Sequence, residues 1–450
     1  GNGDDSVIIG SGAGKESASF DKCVAIGKGA MQDAGFLMSQ NVAIGWEALK
    51  NSEYTTGVEG NNNVAVGSQA LTSNTTGSAS TAVGWGALAL ATTSSNNVAV
   101  GHQSASNTTS AADDNVFIGY QAAFSNGNGD DSVIIGSGAG KESAHFDKCV
   151  AIGKGAMQET GVLMSQNVAI GWEALKNAES GSGDEGNNNV AVGTSALATN
   201  TTGSASTAVG YGALTSQTTP GVNSAFGNLA GTALTTATDN TLVGYQAGVS
   251  NLTGDDNTFI GDNAGYYVTA AQNTALGSGA NTASGAPAAY TNTTCLGYAV
   301  NPTAANQVRL GNASVSSLHC QVALTVDSDE RVKKNIKASS LGLSFLNALR
   351  AVSFKKLNPF QWPEKLKEAR FLRDGSDKPS DSKPKDDPNV YTGFIAQEVK
   401  KVLDDQGITE WDGWTEGENG MQSLTMTAFI PALIKAVQEL SAKVEKLEAK

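Results

Sequence analysis

The feature that most constrains the fold is a short unit, Asn-Val-Ala-Ile/Val-Gly-x-x-Ala, that returns mostly every 17 or 18 residues up to about residue 315. Copies include Asn41-Val42-Ala43-Ile44-Gly45, Asn63-Val64-Ala65-Val66-Gly67, Asn97-Val98-Ala99-Val100-Gly101 and Asn167-Val168-Ala169-Ile170-Gly171. The closing glycines fall at 10, 27, 45, 67, 84, 101, 119, 136, 153, 171, 193, 210, 227, 244, 261, 277, 297 and 311, with a step of 22 at two corresponding places. A longer duplication lies over this period, since Gly1 to Gly10 recur as Gly127 to Gly136 at an offset of 126. A β-branched run closed by glycine reads as a strand and a sharp turn, because Val and Ile favour the pleated conformation and Gly tolerates positive φ. The Val-Ala-Val alternation puts the small Ala on the face opposite its large neighbours, so one face fills a core and the other lies close to a second surface. The Asn before each strand is placed to bond the turn backbone or to ladder on its copies in adjacent coils. Tracts such as 72–77 and 199–203, rich in Ser, Thr, Asn and Gly, read as exposed loops. No proline precedes Pro220, as expected where every strand donates to a ladder.

Composition agrees with a thin, repetitive core. In 450 residues there are 53 glycines and only 6% aromatics, too few large side chains to fill a globule of this length. The net charge of −14 is unevenly placed: residues 1–327 hold 9 Lys+Arg against 24 Asp+Glu, a net of −15, and the remainder carries +1. An acidic shaft without a basic stripe argues against nucleic acid or an anionic membrane as partner. Cys23, Cys149, Cys295 and Cys320 have no CxxC spacing and no nearby His pair, so they read as reduced cysteines and no metal or cofactor is expected. No run of 18 apolar residues and no secretion signal is visible, so membrane insertion is not expected. The chain opens in mid-repeat without Met, which reads as a piece of a longer fibre.

Aromatic residues often follow the closing glycine: Trp46, Trp85, Tyr120, Trp172, Tyr211 and Tyr245, with His102 at a matching place. Such rings could stack on sugars of a receptor, or could cap the roll and fill subunit seams. Asp4-Asp5, Asp130-Asp131 and Asp255-Asp256 lack calcium-repeat spacing and read as solvated turns. Near Ala286-Pro287 and Asn301-Pro302 the repeats decay, and 316–327 reads as a neck. The repeats resemble the head repeats of trimeric autotransporter adhesins, which implies a left-handed β-roll shared by three chains; a monomeric β-helix is the alternative.

Past the neck, Asp327-Ser328-Asp329-Glu330-Arg331-Val332-Lys333-Lys334-Asn335-Ile336 opens a charged, Leu-rich region. Ser328 offers a hydroxyl nucleophile and Lys333 an amine five residues on, a spacing that needs a turn to bring them together. The plainer reading has Ser328 capping a helix that begins near Arg331, with Lys333 solvated. Two further stretches follow, Gly393-Phe394-Ile395-Ala396-Gln397-Glu398-Val399 and Ala436-Val437-Gln438-Glu439-Leu440. Together the three resemble the peptidase S74 intramolecular chaperone domain that ends many phage tail fibres and tailspikes. That resemblance implies a domain that trimerises, nucleates folding of the fibre before it and cuts itself off. By motif position it makes Ser328 the nucleophile, Lys333 its base and Asp327-Ser328 the scissile bond, with Asp329, Arg331 and Asn335 as motif support.

In this region Leu343, Leu346, Leu349 and Val352 form a helical stripe over 341–352, followed by a strand over 354–357. A second strand is expected over 391–395, a helix over 396–403, and a mobile Pro/Asp/Lys-rich loop over 374–388. Ile430, Leu433, Val437, Leu440, Val444 and Leu447 keep 3-4 spacing and predict a coiled coil over 428–450. The fold expected is mainly β: a trimeric β-solenoid or β-roll over 1–315, the neck, then a small α+β chaperone domain over 328–450. The function expected is a viral tail fibre or spike, made in the host cytoplasm and carried on the virion. Its partners would be two further copies of itself, other tail proteins and a host receptor that could be a glycan. A bacterial trimeric adhesin and a glycan-degrading tailspike are the alternatives; the latter would need paired carboxylates in a groove.

Overall fold

A computed structural model of the chain describes residues 5–16, 20–33, 38–51, 60–108, 112–143, 145–159, 164–178, 186–219, 221–283, 286–315, 317–321, 330–357, 389–416 and 420–450. It falls into two compact units, one of residues 1–300 with 308–310 and one of 301–307 with 311–450. In the first, three-residue strands from Val7–Ile9 to Val308–Leu310 pair in parallel, each with the strand of the next coil, in a ladder of 18. Pairing is in register: Val42, Ala43 and Ile44 lie opposite Val64, Ala65 and Val66. This is a parallel β-solenoid, the fold class that the repeat implies.

The small residue points inward. Ala25, Ala43, Ala65, Ala82, Ala99 and their counterparts are fully buried, while the Val and Ile beside them are half-buried or exposed. In many of the coils core volume is balanced between two positions, the middle of the strand and the site six residues on. Where the strand has Ala (Ala43, Ala65, Ala169, Ala191), that site holds a buried Leu (Leu49, Leu71, Leu175, Leu197). Where the strand has a large residue (Phe117, Ile134, Leu242, Phe259), it holds Ala123, Gly140, Gly248 or Gly265. A Cβ on Gly265 would lie 2.4 Å from the Phe259 ring, and one on Gly248 2.8 Å from Leu242. Close packing leaves room for one bulky side chain per pair.

The turn after each strand holds several left-handed residues, and stacking sustains them. In the coil of Gly45, Gln40, Glu47 and Leu49 have φ of 59°, 53° and 50°, and the same three positions are left-handed in the coil of Gly171. Non-glycine residues take up this conformation at a cost of about 1–2 kcal/mol each. The closing glycine itself has no substitute, because a Cβ on Gly210 would lie 2.3 Å from the carbonyl oxygen of Gly227 in the next coil.

Inside the roll the Asn residues do ladder on their copies. The Asn63 N–H donates to Asn41 Oδ1 at 2.8 Å, Ser80 N–H to Asn63 Oδ1 at 2.9 Å and Asn97 N–H to Ser80 Oγ at 3.2 Å. The series continues through Asn115, Ser132, Asn189, Asn223, Asn240, Asn257 and Asn273, all buried. Cys149 takes the same place, its Sγ–H donating to the Asp147 and Met164 carbonyls at 3.4 and 3.5 Å, and burial pushes its thiol up to about 11. A second ladder runs the other way two residues earlier: Ser95 N–H donates to Asp113 Oδ1 at 2.6 Å and Asp113 N–H to Asp130 Oδ1 at 2.8 Å. Thr238 N–H likewise donates to Asp255. Asp113, Asp130 and Asp255 are therefore ladder acceptors rather than merely solvated turn residues.

The second unit contains helix α1 (Leu343–Ala348), helix α2 (Ala396–Asp405) and helix α3 (Phe429–Glu448). Strand Val352–Phe354 pairs antiparallel with Tyr391–Gly393, and Trp414–Glu416 with Gln422–Leu424. Two expectations need correction. The helix expected over 341–352 is only α1, because Leu349 leaves the helical region with ψ 138° and Val352 joins the strand; the buried residue is Phe345, off the Leu stripe. The strand expected at 354–357 ends at Phe354. The loop expected over 374–388 lies outside the described residues.

Gly265→Leu and Phe259→Ala should each destabilise the solenoid and lower its thermal midpoint, the cavity left by Phe259→Ala costing about 3–5 kcal/mol. The double variant rebuilds the Ala/Leu coil found at Ala169 and Leu175, and circular dichroism melting should show it recovering most of the loss.

Candidate functional site

Of the boundary segment, Asp327, Ser328 and Asp329 lie outside the described residues, so the structure gives no distance from Ser328 to Lys333. Glu330–Val332 form one 3-10 turn, closed by Lys333 N–H donating to the Glu330 carbonyl at 3.0 Å. Arg331, Lys333, Lys334 and Asn335 are exposed, and Asn335 is left-handed at φ 55°. The helix expected near Arg331 is thus this single turn. A lysine becomes a general base when desolvation or neighbouring cations weaken its hold on the proton. Lys333 is exposed on the single chain.

The second motif stretch shares one core with α1 and the start of α3. Phe345, Val399, Leu403, Phe429 and Ala432 are buried together, with Phe394, Trp411 and Leu424 packed against them. Phe394 stacks on Phe429 with centroids 5.0 Å apart, and Trp411 meets Phe429 edge-on at 4.9 Å. The glutamate of each motif ties two elements. Arg350, just after α1, donates from Nε to Glu398 Oε2 of α2 at 3.1 Å and from its terminal nitrogen to Oε1. The guanidinium holds the Glu398 carboxyl below the usual range, and Glu398 raises Arg350 in turn. On α3, Glu439 reaches back to the start of α1, where Leu343 N–H donates to its Oε2 at 2.9 Å. Gly342 permits the approach, since a Cβ there would lie 2.5 Å from Glu439 Oε1. Neither glutamate contact is readable from spacing, because the partners are 48 and 96 residues apart.

Helix α3 has two apolar faces. Phe429, Ala432 and Ala436 are buried against the core. Ile430, Leu433, Val437, Leu440, Val444 and Leu447, the expected seam, are exposed, and Ile434 joins them. In the solenoid, Trp46, Trp85, Tyr120, Trp172, Tyr211 and Tyr245 are 43–56% exposed in one column along the coils. Among the described residues no helix is long and apolar enough to cross a membrane.

A parallel solenoid followed by a small α/β region that ends in a long helix is a fibre- or tailspike-like arrangement. Residues 328–408 match the Peptidase_S74 family, described as the chaperone of endosialidase; the match begins at Ser328 and ends just after α2. No curated protein matches the chain.

Glu439→Ala orphans the first amide of α1 and should lower the stability of the C-terminal region by about 1 kcal/mol, the usual magnitude of a lost helix cap. Glu439→Gln, which keeps an acceptor, should lose less, and urea unfolding followed by Trp fluorescence distinguishes them.

Proposed function

We propose that this chain is the distal part of a viral tail fibre or spike, in which residues 1–315 attach to a host surface, 316–327 are a neck and 328–450 are a self-releasing folding chaperone. The observation that carries this reading is the Peptidase_S74 match starting at Ser328, past the repeats and the neck. The exposed stripe of α3 supports assembly through a coiled coil over 428–450, since an apolar ridge of this length is covered in water. The family likeness favours three copies.

Release is a single turnover on the chain's own backbone. Lys333 takes the Ser328 hydroxyl proton, and Oγ attacks the Asp327 carbonyl carbon. The new C–O bond replaces the C–N bond, the Ser328 nitrogen leaves with the proton from the Lys333 ammonium, and water then cleaves the ester. Asp329, Arg331 and Asn335 belong to the same motif. Assembly supplies the desolvation that Lys333 lacks on one chain, so cutting waits until the copies are in register.

Denaturing gels of wild type beside Ser328→Ala and Lys333→Ala test the assignment. Wild type should yield a fragment of the 123 residues 328–450, and both variants should stay at 45.8 kDa. A wild type that gives no fragment sinks the protease claim, and cutting in both variants shows the residues to be wrong.

A further inference from the structure

The residue after each closing glycine forms one column. Ser195 N–H donates to the Trp172 carbonyl at 2.9 Å, Gly212 N–H to Thr194 at 2.9 Å, Leu229 N–H to Tyr211 at 2.8 Å and Gln246 N–H to Asn228 at 2.9 Å. Each bond fixes one member of the column over the next. In the first copy of the duplication, His102 lies between Trp85 and Tyr120, with centroids 4.8 and 5.4 Å away, tilted by 33° and 26°. There the protein fills the space between two aromatic rings, two coils apart, with a ring of its own.

At three other places the intervening residue is too short to do so. Ser68 lies between Trp46 and Trp85, Thr194 between Trp172 and Tyr211, and Asn228 between Tyr211 and Tyr245. The first two triplets are the same positions, 126 residues apart. Two coils of a parallel ladder advance about 10 Å, so a ring seated midway has its centroid about 5 Å from each aromatic, within stacking range. Among the described residues no other aromatic ring covers Trp46, Trp172, Tyr211 or Tyr245, and each is about half-exposed.

We propose that these three gaps are binding slots for uncharged pyranose rings of a host-surface glycan, an assignment that rests on the attachment reading above. A pyranose presents apolar C–H faces to the two aromatic rings and hydroxyls at its rim. The floor of each slot is a matching hydroxyl or amide, from Ser68, Thr194 or Asn228. Charge selects the class of sugar: residues 1–327 carry a net −15, which repels carboxylated, sulfated and phosphorylated glycans. The slots over Thr194 and Asn228 share Tyr211 and are themselves two coils apart, comparable to the advance of two sugars in an extended β-linked chain. One neutral chain running along the solenoid therefore places alternate residues in successive slots.

The test fills the slots as His102 fills its own. The full chain and its Ser68→His/Thr194→His/Asn228→His variant are run through native gels containing soluble β-glucan, mannan or galactan, with heparin as the anionic comparator. Wild type should be retarded by at least one neutral polysaccharide and not by heparin, and the filled variant should bind at least about tenfold more weakly, a loss of about 1.4 kcal/mol. Ser137→His, between Tyr120 and Lys154, closes no slot and should bind like wild type at an unchanged melting midpoint. Equal binding by the filled variant overturns the slots and leaves attachment to another surface of the fibre. Absence of retardation by all three neutral polysaccharides also overturns them, while the fibre reading is tested separately by the Ser328 gel.

Discussion

The solenoid depends on one contact repeated along its length, the closing glycine of each coil lying against the carbonyl of the next. At Gly101 and Gly227 alike, an added Cβ would fall 2.2–2.3 Å from that oxygen. The glycine permits the spacing that the parallel strand ladder sets, and that spacing lets side-chain oxygens of the Asn and Asp ladders accept amides from neighbouring coils. A coil with several left-handed residues and one or two core side chains has little reason to hold its shape alone. Its stability is borrowed from the coils on either side, as in any repeat architecture. A chain of this kind gains from a nucleus that fixes its ends in register.

The C-terminal region is built differently. Its core is aromatic where the solenoid's is mostly Ala and Leu, with Phe429 in contact with Phe345, Phe394 and Trp411. Its last helix is held to α1 by Glu439 and presents a full apolar stripe outward. Glu398 ties α2 to Arg350 just after α1, and Glu439 ties α3 to the start of α1.

Much of this was legible because it is periodic. The glycine spacing gave the strands, the Asn gave the inner ladder, and the 3-4 pattern gave the apolar stripe that α3 exposes. Which strand face turns inward was less plain, since it follows from the exchange of volume between positions such as Phe259 and Gly265 or Ala169 and Leu175. The short α1 was misread because the Leu stripe runs on past Leu349 into residues that pair as a strand with Tyr391–Gly393. The Arg350–Glu398 and Leu343–Glu439 contacts join segments far apart in sequence, where no local pattern reports them. At the boundary, Lys333 was named by motif position and is exposed on the single chain.

The central claim is that α3 assembles three chains into one fibre, and mass measures it most directly. Native mass spectrometry of a Ser328→Ala chain should give a particle of three times 45.8 kDa, and adding Leu433→Asp and Leu440→Asp should return it to the single-chain mass. A single-chain mass before those changes, or a three-chain mass that survives them, would contradict the account.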